Sequence, residues 1–176
     1  MANRDLLSGP VTLSDADRDK RNMLHVFRYP KLREEFYRRI ESYVPLLHEA
    51  VALHLQIKAS DVTVSPREYW RHGSFNLLIP IAIDPEARWP SPALSEFVSL
   101  KFPLPYRVGE MLRLGNADEK VNCEAATYAR IQEECPDVPI PRLHGFGMST
   151  GKRVRSWQRF GRIFIAVTSS SMRIGM

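Results

Sequence analysis

With 176 residues, 44% of them hydrophobic and 26% charged, the chain is long enough for one domain with a core and has the balance of a globular protein. No run approaches the roughly 18 apolar residues a membrane span requires, and the opening MANRDLLSGPVTLSDADRDKRN holds several acids and no apolar signal core, so neither a signal nor a transit peptide is expected. The net charge of +5 suggests nucleic acid until it is mapped: from Val138 onward there are seven basic residues and no Asp or Glu, and the preceding positions carry 18 basic against 20 acidic residues. A basic tail attracts anions non-specifically, but the body has no basic bias, so no specific nucleic-acid partner is expected.

Residues 1–29 read as loosely structured, with Ser14 and Asp15 as candidate caps for a short helix through DADRDKRNMLHVF. From Pro30 the pattern becomes periodic. Leu32, Phe36, Ile40, Val44, Leu47, Val51 and Leu55 recur at steps of three and four, which predicts an amphipathic helix. Pro45 removes a backbone donor and should kink or divide that helix near Tyr43–Val44. Residues 62–83 read as two strands around a turn at His72–Asn76, and a Pro-rich connection leads to a third strand at Glu96–Phe102. After a loop with two glycines, Asn116 or Asp118 can cap a helix running to about Cys135. RLHGFGMS reads as the next strand, and RIFIAVT as a strand by composition alone. Hairpin, strand, helix and strand make an α+β fold: a twisted antiparallel sheet with one long helix, preceded by a helical arm. The expected divisions are a helical extension over 1–60, a sheet-and-helix lobe over 61–152 and a basic tail over 153–176.

Cys123 and Cys135 fall on one predicted helix about 18 Å apart, too far for a disulfide. A reducing compartment fits, and the cytoplasm is the expected location. His25, His48, His54, His72 and His144 are scattered, and no metal site stands out.

The chemistry rests on two residues that look misplaced. Lys101 interrupts the apolar strand SEFVSLKFP; it shares a sheet face with Phe97 and Ser99, while Val98, Leu100 and Phe102 face the other way. On the following helix Val121, Glu124, Tyr128, Ile131 and Cys135 form one stripe, apolar or nearly so except for the carboxylate. A carboxylate packed against a sheet costs several kcal/mol unless it meets a cation. Two misfits of opposite charge on consecutive elements explain each other if they pair. Edge-strand lysines and solvated helix glutamates are common, so it is the joint placement that carries the reading. The turn HGSFN adds Gly73, which tolerates positive φ, and the polar groups of Ser74 and Asn76, so that its amides can face phosphate oxygens.

Glycine-containing hairpin, strand lysine, helix glutamate and Pro-rich return strand resemble the nucleotide-binding lobe of the protein-kinase-like superfamily. The wording HGSFN…FPLPYRVGE…NADEKVNCEAATYARIQEECPDVPIPRLHGFGMSTG is similar to the fungal branch of the aminoglycoside phosphotransferase-like proteins, and the likeness covers roughly residues 22–152. The resemblance implies an ATP-directed lobe in which Gly73, Ser74, Phe75 and Asn76 cover the phosphates, Lys101 holds the α- and β-phosphates and Glu124 orients Lys101. It implies a family that transfers phosphate to a hydroxyl of a small molecule, with Mg²⁺ as the metal. Such kinases need a catalytic-loop Asp and a metal-holding Asp in a second, C-terminal lobe. Here neither His72–Gly73 nor His144–Gly145 is followed by Asp, and Asp137 is the last aspartate. The likeness stops near Lys152, and residues 153–176 do not match the family. The expectation is therefore a kinase-lobe fragment, from a shortened or misread gene product, that binds nucleotide without turnover. It would meet a small-molecule acceptor only if a C-terminal lobe were present, and its exposed apolar lobe face would favour self-association. The rival reading is a non-catalytic, pseudokinase-like binding or regulatory module that docks a partner through the helical arm.

Two other motifs fall short. GMSTGKR has three residues between its glycines and Arg153 after its lysine, where a P-loop needs four residues and Ser or Thr. GFGMST has Thr150 where the third glycine of the dinucleotide fingerprint would stand.

Overall fold

The computed structural model describes residues 4–6, 9–18, 23–87, 97–149 and 165–170. The chain divides between Ser42 and Tyr43 into two units.

The first unit opens with a hairpin of strands β1 (Arg4–Leu6) and β2 (Gly9–Val11), which the sequence pattern does not announce. Two short helices follow, α1 (Leu13–Arg18) and α2 (Met23–Val26). The cap of α1 is Thr12, not Ser14 or Asp15: its hydroxyl accepts from the Asp15 amide while the Asp15 carboxylate accepts from the Thr12 amide, a reciprocal capping box. Helix α3 (Tyr29–Ser42) buries Phe36 and Ile40 from the expected stripe, together with Tyr29 and Tyr37.

The second unit begins where the helical pattern breaks. Helix α4 (Val44–Leu55) starts beyond Tyr43 with Pro45 in its first turn, where a missing amide is harmless. It buries Leu47, Val51 and Leu55. The strands are β3 (Val62–Val64), β4 (Arg71–His72), β5 (Asn76–Ile83), β6 (Phe97–Pro103), β7 (Arg142–Gly147) and β8 (Ile165–Ser170), with helix α5 (Asn116–Glu134) between β6 and β7. The order across the sheet is β3-β5-β6-β8-β7, with β4 also pairing β5, and every pairing is antiparallel. The fold is thus α+β. The first expected strand is interrupted after Val64 by Pro66 and a turn of 3-10 helix, Arg67–Tyr69. β8 lies within the basic tail and fills the gap between β6 and β7, so the central sheet extends past Lys152.

Register separates the two faces. Rows Leu77–Phe102, Ile79–Leu100 and Ile81–Val98 pair buried side chains across β5 and β6, and Val64 extends the last row onto β3. Val167 and Gly145 continue the Leu100 row. A side chain on Gly145 would run into the His54 ring of α4, so α4 lies over this face. The opposite face carries the row Arg71, Leu78, Lys101, Ala166 and Phe146. Phe146 packs on Ala117 and Val121 of α5, so α5 covers the β7 side of that second face. On the β5 side no described helix packs, by the contacts shown for α5, and Leu78 and Ala82 are exposed while Pro80 and Ser99 are half-buried.

Candidate functional site

Strand alternation puts Lys101 on the face that α5 covers, at the boundary between its covered and open parts. Helix α5 brings the other partner. Ala117, Val121 and Ala125 are buried on its inner side, and Glu124, Tyr128 and Ile131 lie half-buried along the same stripe. The stripe stops short of Cys135, which is exposed, as is Cys123.

Lys101 and Glu124 pair. Lys101 Nζ stands 2.9 Å from Glu124 Oε2, with the two side chains only 18% and 29% exposed. The ammonium also lies 5.9 Å from the centre of the Tyr128 ring, the outer limit of cation–π attraction. The other carboxylate oxygen, Oε1, is bonded to Lys120, one turn back on α5. Burial, the largest single influence, pushes the Glu124 carboxyl up, but hydrogen bonds and charge from Lys120 and Lys101 together outweigh it. The net effect is a carboxyl held below its ordinary value, ionised between two cations.

The start of α5 is fixed by a residue that helix-start rules overlook. Neither Asn116 nor Asp118 caps the helix. Gly115 occupies the capping position at φ 97°, a conformation that favours glycine. Glu110, in the preceding loop, accepts from the amides of Gly115 (2.8 Å) and Ala117 (2.7 Å). Those are two of the donors that a helix start leaves without intrahelical partners. Asp118 is buried and faces the chain beyond β7, accepting from the amide (2.7 Å) and the hydroxyl (2.6 Å) of Ser149. Together these bonds anchor α5 at its first turn and so set where Glu124 falls.

The turn between β4 and β5 is a two-residue loop, Ser74–Phe75, closed by a bond from the Gly73 amide to the Asn76 carbonyl (2.9 Å). Gly73 does not use positive φ, and neither Ser74, Phe75 nor Asn76 does. The expectation that Gly73 serves an unusual backbone shape is therefore corrected: a Cβ there would meet nothing within 4 Å, so neither conformation nor packing demands glycine. The Phe75 side chain is exposed, and its carbonyl accepts from the Leu104 amide (2.8 Å). Asn76 Oδ1 is buried without a hydrogen-bond partner. Asn76 lies two residues, about 7 Å, along β5 from the Lys101 row. All six sequence-chosen residues thus lie on one hairpin, the neighbouring strand and the helix behind it.

Two neighbours escaped the sequence reading. Lys120 looks like an ordinary solvated lysine, and only its four-residue spacing to Glu124 hints otherwise. Arg71 is exposed in the Lys101 row, with Leu78 between them. A second cluster lies under the other face: His54 sits against Gly145, and His144 occupies the β-bulge between Leu143 and Gly145. Burial and the charge of His144 lower the His54 pKa; burial and the charge of Arg142 lower that of His144. His-Gly spacing alone does not reveal that contact.

Among the described residues, no three His, Cys, Asp or Glu side chains converge as metal ligands. No described helix is long and apolar enough to cross a membrane. Comparisons with protein-family models, with curated proteins and with solved structures found no match.

Proposed function

We propose that residues 61–152, with strand β8 completing their sheet, form a nucleotide-binding lobe of the protein-kinase-like kind, similar to the aminoglycoside phosphotransferase-like proteins and directed at ATP. The observation that carries this reading is the 2.9 Å ion pair between Lys101 and Glu124. In protein kinases the lysine on the third strand pairs with a glutamate on the following helix and with the nucleotide phosphates. If the broken β3–β4 segment counts as the first strand, Lys101 stands on the third strand of this sheet and Glu124 on the helix that follows it. The β5 side offers Leu78 and Pro80 as an apolar surface for a flat base. Gly73 suits a backbone that a phosphate approaches closely, because nothing in the fold occupies the space its side chain would fill.

In this reading ATP lies along the open face with its phosphates toward Lys101. Glu124 orients that ammonium, and the Ser74–Phe75 turn closes over the phosphate chain. The donor set suits polyphosphate, since two ammonium groups share one carboxylate. It does not suit a protein-held Mg²⁺, because no acid cluster converges among the described residues, and no step is routed through the metal. The role proposed for this chain is binding and positioning of nucleotide, without phosphoryl transfer by its own groups.

The test is titration of the purified chain with Mg-ATP, followed by calorimetry. Saturable binding that disappears in Lys101→Ala, with the fold intact by circular dichroism, is expected. Absence of binding at millimolar ATP would instead favour a non-catalytic docking module.

A further inference from the structure

We infer that Lys120 is a second phosphate-directed cation, and that Lys101, Glu124 and Lys120 together form a site for a chain of at least two linked phosphates. The inference deepens the nucleotide reading above and rests on it.

Three observations lead here. First, Glu124 divides its two oxygens, Oε2 to Lys101 and Oε1 to Lys120, so one negative charge faces two positive ones. All three side chains are less than a third exposed, and among the described residues no other carboxylate pairs with either lysine. A half-buried cluster with an uncompensated positive charge favours an anion beside it. Second, two of the acids at the start of α5 are already engaged elsewhere. Glu110 accepts from the amides of Gly115 and Ala117, and Asp118 from Ser149. Third, local helix electrostatics do not account for a lysine at this position. Lys120 stands just past the first turn at the N-terminal end of α5, where the helix dipole gives a cation no support, and it precedes Glu124, the weaker order for a four-residue pair.

The geometry supplies donors as well as charge. An ammonium carries three N–H donors, so each lysine keeps some after bonding Glu124. Because both are tethered to one carboxylate, their free donors lie within reach of adjacent phosphate groups. A single phosphate needs only Lys101. A second linked phosphate gains Lys120, and Glu124 keeps the two ammonium groups from repelling each other apart.

The experiment measures binding of AMP, ADP, ATP and inorganic tripolyphosphate to the full chain, Lys120→Gln, Lys120→Arg and Lys101→Ala. In the unaltered protein ADP should bind about tenfold more tightly than AMP, the yield of one charge-assisted contact. In Lys120→Gln that advantage should shrink to about twofold, ADP losing several-fold more affinity than AMP, and Lys120→Arg should restore much of it. Tripolyphosphate should displace ADP. A Lys120→Gln variant that weakens AMP and ADP in equal proportion would reduce Lys120 to a prop for Glu124 and overturn the inference. So would unchanged binding of both, or a tripolyphosphate that does not compete. Those results leave the nucleotide reading standing as long as Lys101→Ala abolishes binding, whereas an unaltered protein that binds none of the ligands defeats both. A second measurement needs no variant. Lysine acetylation mapped by mass spectrometry should show Lys101 and Lys120 both protected by tripolyphosphate, and equal labelling of Lys120 with and without it counts against the site.

Discussion

Helices α5 and α4 each meet the sheet through an ionisable cluster, and the two clusters are held by opposite means. On the α5 side Lys101, Glu124 and Lys120 hold one another by charge, strongly enough that Glu124 stays ionised despite the burial that opposes it. On the α4 side His54 sits by shape in the space where Gly145 lacks a side chain, and burial and neighbouring positive charge make both His54 and His144 harder to protonate. The first junction leaves a surplus of positive charge beside an open face. The second fills its space and disfavours added charge. One suits an anionic ligand; the other is packing that tolerates acid poorly.

The sharpest way to break this comparison is to fill the space at Gly145. Gly145→Ala should destabilise the fold by about 3 kcal/mol, because its methyl group meets the His54 ring. In a His54→Ala background the same change should cost under about 1 kcal/mol, as measured by urea unfolding of all four proteins. Equal costs in both backgrounds would show that shape does not hold this junction.

Removing charge at the other junction should cost less. Glu124→Gln keeps the shape, removes the carboxylate between two half-buried ammonium groups, and should lower stability by about 2 kcal/mol. A Lys101→Met, Glu124→Gln double variant should be less destabilised than the sum of the singles. Strict additivity would mean that the pair contributes no coupling.

Acid should separate the two clusters by pH. His54 and His144 have folded pKa values below their ordinary 6.5. Between the folded and unfolded values the unfolded chain binds more protons, so the stability they contribute is complete above about 6.5 and is lost as pH falls through the lowered values. Glu124 is also depressed, from an ordinary 4.5, so its contribution persists to lower pH and is lost only as pH falls through its folded value. The thermal midpoint should therefore decline in two stages on acidification. His54→Gln with His144→Gln should shrink the first stage and Glu124→Gln the second. A first stage unchanged in the histidine variant would refute the assignment.

The smallest effect on stability belongs to the turn. Gly73→Ala should shift stability by no more than about 0.5 kcal/mol, since its φ is ordinary and the added methyl meets nothing. Nucleotide affinity should nevertheless fall about tenfold if a phosphate approaches that backbone. A variant unchanged in both stability and binding would leave this glycine without a role in the site.

Much of the local structure was legible in the sequence because it follows nearest-neighbour rules. Pro45 divides the helical pattern at Tyr43, and the apolar alternation of β6 points Lys101 away from Val98, Leu100 and Phe102. The pairing of Lys101 with Glu124 was legible too, because a charge inside each of two apolar patterns asks for an opposite charge. Capping was not legible at α1 or α5, where several polar residues compete and local spacing does not choose among them. Glu110 serves α5 from a loop whose course depends on packing.

By itself, then, the sequence determined the helix break, the sheet faces and the identity of the central ion pair, since each depends on residues a few positions apart or on one unmet charge. Only the tertiary structure decided that β8 enters between β6 and β7, that Lys120 shares Glu124 with Lys101, and that His54 lies against Gly145. These are contacts between side chains or strands whose separation in space is set by how the whole sheet closes, and no local pattern records that distance.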